Sequence, residues 1–355
     1  SGPRMKVEND HAKIISGVME GITNGAPIAI LIQNEDFQKW AGVEVAPFTI
    51  PRPGHADLTG AVKYGFNDLR FSLERASARE TAARVAVGAV CKQLLRLFDI
   101  KIGGYVKSVG NVIASVDEIS LAERLELAEQ NDVRCPDTQA VDRIREEIRS
   151  TIQSRDTLGG VIEIIALGVP AGLGSYNQWN SRLEARLGYA ILSVQAIKGV
   201  EIGAAFENAH LRGTASHDQI LVEGGMLVRA TNRAGGIEGG ISNGEPIVIR
   251  AAMKPIATTL SPQRSVDLAT GEEVTTKYER SDFCPVPRAV PILEAMVAYI
   301  IANELLEKLG GDSINEIRPR FEQLRSLELT QFHMESRNHI FWPSPEDENP
   351  SQDTL

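Results

Sequence analysis

The stretch Glu74-Arg75-Ala76-Ser77-Ala78-Arg79-Glu80-Thr81 opens the best-defined element of the chain and concentrates its positive charge. Ser77-Ala78-Arg79-Glu80 has the spacing of a capping box, in which a serine hydroxyl and a glutamate carboxylate each satisfy a backbone N–H of a helix's first turn. An apolar run with Val85, Ala89, Leu94 and Leu97 follows. The pattern predicts a helix over residues 77–98. Arg75 and Arg79 flank its start. Helix N-termini attract anions because their N–H groups are unpaired and the dipole's positive end lies there. Arginine adds forked hydrogen bonds to carboxylate or phosphate. Taken alone, the stretch reads more simply as a well-capped surface helix with solvated arginines.

Working outward, residues 12–18 and 27–33 read as isoleucine-rich strands. Residues 118–130 and 137–154 read as amphipathic helices, the second capped by Asp137. A buried strand is expected over 161–167, and a helix over 182–194 leading to a strand near Val200. Residues 220–254 look like antiparallel sheet with a glycine-rich turn. The longest apolar stretch, 289–309, carries Glu294, Asn303, Glu304 and Glu307 and closes on Gly310-Gly311. It reads as a buried helix, not a membrane span. The mixture lacks the regular βαβ alternation of a doubly wound sheet, so the class is α+β. One domain is expected over 1–340. The tail 341–355, rich in Pro, Glu, Asp and Ser, is expected to be disordered.

The chain has 355 residues, 43% hydrophobic and 24% charged, enough for a substantial core. Its net charge of −10 argues against nucleic acid or an anionic membrane as partner, since both need a basic surface. An anionic small molecule responds to local charge and stays open. Cys91, Cys135 and Cys284 form no CxxC pair. A zinc site or disulfide framework is therefore not expected, and a cytoplasmic protein without signal peptide fits. No metal site is expected.

Four further constellations carry candidate chemistry, each with a plainer reading beside it. In Pro51-Arg52-Pro53-Gly54-His55, two prolines stiffen a loop that sets a histidine beside an arginine. It is an acid–base group or an ordinary loop histidine. The glycines of 234–244 match neither a dinucleotide fingerprint nor a P-loop. They bring backbone N–H groups to a ligand or simply form a turn. Lys254-Pro255-Ile256-Ala257-Thr258-Thr259, a lysine and two hydroxyls, is a phosphate site or a strand end. In Arg280-Ser281-Asp282 the two charges pair with each other, or Asp282 is a base.

The ordered set of these segments closely resembles chorismate synthase. The resemblance is carried by Arg52-Pro53-Gly54-His55-Ala56-Asp57, by 75–81, by 236–244, by Lys254-Pro255-Ile256-Ala257-Thr258, and by Arg280-Ser281-Asp282 running on to Glu294-Ala295-Met296. It implies a β-α-β sandwich, with helices packed between two antiparallel sheets, assembled as a homotetramer. It also implies the last common step of the shikimate pathway to aromatic amino acids. There, 5-enolpyruvylshikimate 3-phosphate loses phosphate by 1,4-anti elimination to give chorismate, with reduced FMN required. By the same resemblance Arg4, Arg52, Ser77, Arg79 and Arg280 contact substrate. Arg75, Ala76, Ser77, Gln195, Ala196, Gly239, Lys254, Pro255, Ile256, Ala257, Thr258 and Arg280 contact flavin. His55 is the histidine beside the flavin ring, and Asp282 the carboxylate that handles its proton.

The family's opening Gly-Glu-Ser-His-Gly segment and its arginines before the position of Arg4 are not in this sequence. The chain opens Ser1-Gly2-Pro3-Arg4-Met5, read either as a processing scar or as the edge of a longer chain. A chain that truly starts at Ser1 is expected to bind FMN poorly. Two rivals stay open: an NADPH-linked flavoprotein oxidoreductase, including a bifunctional synthase that uses NADP and reduces its own flavin, and a non-catalytic assembly protein. An external flavin reductase is the expected partner otherwise.

Overall fold

A computed structural model describes residues 10–35, 37, 40–276, 282–324, 326–339 and 341–342. The chain begins with short strands β1 (Ala12–Ser16), β2 (Val18–Met19), β3 (Ile22–Thr23) and β4 (Ala29–Ile32). Helices α1 (Asp57–Tyr64), α2 (Arg70–Arg75) and α3 (Thr81–Arg96) follow. Next come β5 (Lys101–Val109), β6 (Val112–Ile113), α4 (Leu121–Ala128), α5 (Thr138–Gln153), β7 (Gly160–Leu167), α6 (Leu183–Leu192) and β8 (Ile197–Ile202). Two single-turn helices, α7 (Ala205–Asn208) and α8 (Gly213–Ser216), lead to the hairpins β9 (Ile220–Glu223)–β10 (Met226–Arg229) and β11 (Ile237–Glu238)–β12 (Ile241–Ser242). The remainder is β13 (Ile247–Met253), the pair β14 (Arg264–Val266)–β15 (Glu273–Thr275), α9 (Val286–Leu309) and α10 (Ile314–Glu322).

The core sheet has the order β6-β5-β7-β13-β8, antiparallel throughout. Side chains alternate across it with period two. On one face Gly104 and Ile164 meet Val290 of α9. A Cβ on Gly104 would fall 2.4 Å from Ile164 Cδ1 and 3.2 Å from Val290 Cγ1, so glycine lets the helix lie close. On the other face Tyr105, Glu163, Arg250 and Glu201 stand directly opposite one another on β5, β7, β13 and β8. Glu163 Oε1 accepts from the Tyr105 hydroxyl at 2.6 Å, and its Oε2 from Arg250 Nε at 2.7 Å. Arg124 of α4 approaches from above at 3.4 Å. A carboxylate in mid-sheet is tolerable only because both its oxygens are engaged. Burial and the neighbouring Glu163 push the Tyr105 hydroxyl far up, so it stays a donor.

Helix α9 is the one described helix long and apolar enough to cross a membrane. Here it is the core helix, with Leu293, Val297, Ile301 and Leu305 inaccessible to solvent. It packs on β5, β7, α6 and α3, and α3 in turn touches β4. The expected α+β class holds. Three sequence expectations are corrected. Residues 220–254 are not one sheet: β9–β10 and β11–β12 are separate hairpins, and only β13 joins the core. The capping box does not close, as described below. The start of α9 also lies earlier than read, because prolines are tolerated in a helix's first turn.

Candidate active site

The antiparallel sheet has two ends, and most of the marked residues gather at one of them. Where β13 finishes at Met253, β7 begins at Gly160 and β8 at Ile197. The same end receives three helix N-termini. For α3, Gln195 Nε2 donates to Glu80 Oε1 at 2.6 Å. For α9, the Leu158 N–H donates to Phe283 O at 2.8 Å, just before the helix. For α1, Lys254 Nζ donates to Gly54 O at 2.7 Å, and Arg52 Nη1 to Thr258 Oγ1 at 3.0 Å. The Thr157 hydroxyl, donating to Ile256 O at 2.9 Å, ties the 157–158 turn to the same segment. Positive helix ends, Lys254 and arginines thus converge, an arrangement suited to anions.

The stiff loop before α1 is organised by Asp57, which is fully buried. Its Oδ2 accepts from Arg52 Nε at 2.8 Å and the Arg52 N–H at 3.0 Å; its Oδ1 accepts from Arg52 Nη2 at 3.0 Å and lies 2.6 Å from His55 Nδ1. Burial pushes this carboxyl up, but the hydrogen bonds from His55 and Arg52 outweigh it and hold the group well below the usual carboxylate range. Arg52 is buried and turned inward. Sequence reading marked Arg52 and His55 and passed over Asp57. The signal was available, since Asp57 opens a helix two residues after a loop histidine.

At the α3 start, Ser77 Oγ accepts from the Arg79 N–H at 3.3 Å and caps a 3-10 turn (Ala78–Glu80) that precedes the helix. Glu80 does not reach back to Ser77. It accepts from Gln195 and from Arg84 Nη2 at 2.9 Å. The intervening 3-10 turn moves Glu80 out of the capping position. Burial pushes its carboxyl up, but the bonds from Arg84 and Gln195 prevail and lower it. Gln195 Oε1 is shut from solvent with no hydrogen-bond partner. Ala196 has φ of +65°, strained for a residue with a Cβ, and its carbonyl accepts from the Lys254 N–H at 2.9 Å. Arg75 and Ala76 end α2 beside this turn. Arg79 grips Asp10 with a two-pronged contact, Nη1–Oδ2 3.0 Å and Nη2–Oδ1 2.7 Å, the geometry a ligand carboxylate would ask for.

Asp282 pairs with Arg288 in the first turn of α9. Nearby Cys284 is no nucleophile, because burial pushes its thiol up to about 11. Arg4 and Arg280 lie outside the described residues, as do Ser281 and the tail 343–355. Gly239 is not brought to the cluster. It turns between β11 and β12 at the opposite end of the sheet, where the Leu183 N–H donates to Gly240 O and Gly203 closes on Gly235. The length of β13 separates the two ends by about 20 Å. A cavity of about 720 Å³ lies elsewhere too, between α3, β5 and α4, and holds the Lys92–Glu294 pair. No group of three or more potential metal ligands occurs among the described residues.

The fold is of the α+β class, with helix N-termini meeting the Asp57–His55–Arg52 cluster at one end of the core sheet. The profile of the chorismate synthase family matches residues 1–306. Chorismate synthase of Chlorobaculum tepidum is 49% identical over 349 residues, covering 93% of this chain and 88% of the relative. That of Pelobacter propionicus is 48% identical over 347 residues, covering 92% and 88%. A chorismate synthase crystal structure superposes with a TM-score of 0.73 at 42% identity, covering 88% of this chain and 83% of that one. The chain belongs to the chorismate synthase family and is, with it, a carbon–oxygen lyase acting on phosphates. An NADPH-linked oxidoreductase is not favoured.

The family requires reduced flavin, and the residues at the cluster suit such a ligand. Gln195 Oε1 is a buried acceptor awaiting a donor, Ala196 holds a strained backbone beside it, and Lys254 with the helix ends offers a place for phosphate.

Proposed function

We propose that the cluster between Arg52 and Asp282 is the active site, binding 5-enolpyruvylshikimate 3-phosphate and reduced FMN side by side. The observation that carries this reading is the convergence of three helix N-termini with Arg52, His55 and Lys254 at one end of the sheet. The substrate has two carboxylates and a phosphate. Arg79, Ser77 and Arg52, with Arg4 and Arg280, would hold those anions and stabilise charge developing on the departing phosphate. Arg75, Ala76, Ser77, Gln195, Ala196 and 254–258 would hold the flavin. Bound reduced flavin supplies transient electron density that eases loss of phosphate. His55 holds a proton at the edge of the site, and Asp282, kept in place by Arg288, is the carboxylate base.

A homotetramer, the second sheet of a β-α-β sandwich seeded by β1–β4, an external flavin reductase and a cytoplasmic location complete the proposal. The position of Gly239 supports the assembly, since a turn this far from the cluster reaches flavin only from a neighbouring copy. Anaerobic assay with reduced FMN and the enolpyruvyl substrate tests the reading. Phosphate and chorismate should appear together at equal yield. Phosphate release without chorismate, or no product at all, would refute it.

A further inference from the structure

The Asp57 carboxylate takes no part in the chemistry above, yet no described carboxylate is more deeply buried. Its function is legible in the contacts of the His55 ring. Arg52 Nη2 lies 3.0 Å from Nδ1 and 3.3 Å from Nε2. The lone pairs of the two ring nitrogens diverge in the ring plane, so a donor placed along one of them would stand much farther from the other nitrogen. Near-equal distances therefore put the guanidinium off both lone pairs, against the ring. Among the described residues the partner that remains for a ring nitrogen's own axis is Asp57 Oδ1, at 2.6 Å from Nδ1. An ionised carboxylate only accepts, so Nδ1 must carry the proton. In the neutral ring Nε2 then keeps its lone pair, and the side chain is 23% exposed.

We infer that Asp57 is a positioning residue: it fixes His55 in the Nδ1–H tautomer and presents Nε2 as the atom that accepts a proton. This deepens, and rests on, the reading of His55 as a proton carrier. Besides Asp57, the charged group against the ring is Arg52, which locks the carboxylate's orientation through Oδ2, while Lys254 is held on the carbonyl of the preceding residue, Gly54. The logic is that of a buried aspartate orienting a catalytic histidine, where the aspartate sets the tautomer and does not itself become protonated.

The test uses the full chain without flavin, labelled with 15N at histidine, at a pH where the imidazole is neutral. Long-range 1H–15N spectra report which ring nitrogen holds the proton, and the His55 signals are those lost in His55→Gln. Wild type should show Nδ1–H. In Asp57→Asn the amide oxygen belongs at the Oδ2 position, which faces two Arg52 donors, Nε and the backbone N–H, whereas the Oδ1 position faces only Arg52 Nη2. The amide N–H group then faces Nδ1 and forces the Nε2–H tautomer. Turnover at saturating substrate and flavin should fall by roughly 10²-fold or more, with KM little changed. A wild-type spectrum with Nε2–H overturns the inference without any variant, as does an Asp57→Asn protein that retains Nδ1–H. If the tautomer switches while turnover holds, Asp57's control of the ring stands and the reading of His55 as proton carrier is what falls.

Discussion

Gln195 Nε2 and Glu80 Oε1 lie 2.6 Å apart, joining residues 115 positions distant in sequence and fixing the α6–β8 corner against the start of α3. The bond spends the amide's donor on Glu80 and leaves its buried Oε1 unpartnered. Glu80→Ala should free Gln195 to rotate and weaken flavin binding about tenfold, the worth of one hydrogen bond to a charged group, roughly 1.5 kcal/mol. Turnover at saturating flavin should change little. Quenching of FMN fluorescence on titration measures this; an unchanged affinity would show that Gln195 does not meet the flavin.

His55 and Asp282 are tied to the cluster by separate connections, one through Gly54 and Lys254, the other through Phe283 and Leu158. If both handle protons, His55→Ala and Asp282→Ala should each lower turnover by about 10²-fold or more, with the native fold retained. The two assignments are checked by anaerobic steady-state kinetics on each variant. Full activity in either would remove that residue from the reaction.

Much of this architecture could be read before the fold was seen, wherever the signal was local. Asp137 caps α5 as expected, accepting from the Gln139 and Ala140 N–H groups at 2.9 and 3.1 Å. The strands expected over 12–18 and 27–33 pair as β1 and β4. What escaped is what depends on distant partners. Strand β5 carries no local signal, because Gly103 and Gly104 depress strand propensity, and only packing under Leu125 and Val290 explains them. Glu80 matched a capping pattern but took Arg84 and Gln195 instead. Gly239 was grouped with the flavin residues by resemblance, and no local pattern could say that β13 carries it to the other end of the sheet.

The α3–α9 crossing offers a test of the scaffold under the site. A Cβ on Gly88 would lie 2.2 Å from Ala295 Cβ and 2.4 Å from Ala295 Cα. The obstacle includes backbone, so the helices must separate. Gly88→Ala gains about 1 kcal/mol of helix propensity and still should lower stability, since overpacking of this kind costs roughly 1–3 kcal/mol and backbone contact lies at the upper end. Thermal unfolding should show a lower midpoint. Ala295→Gly in the same chain should restore part of it, a coupling that independent sites would not show.

Acid stability should report the Asp57 cluster directly. The folded-state carboxyl is held far below its unfolded value near 4. A depressed carboxyl contributes stability above the unfolded pKa and loses it as pH falls toward the folded one. Breaking a buried pair leaves the Arg52 charge uncompensated, at a cost of about 3 kcal/mol or more. Asp57→Asn should therefore be less stable than wild type by about that amount at pH 6 to 7. The gap should stay level down to about pH 5 and narrow progressively below about pH 4, because only wild type then loses an ionised group. Urea unfolding of both proteins across this range measures the gap. A difference that stays constant down to about pH 3 would mean that Asp57 stabilises the loop by shape alone, with no contribution from its charge.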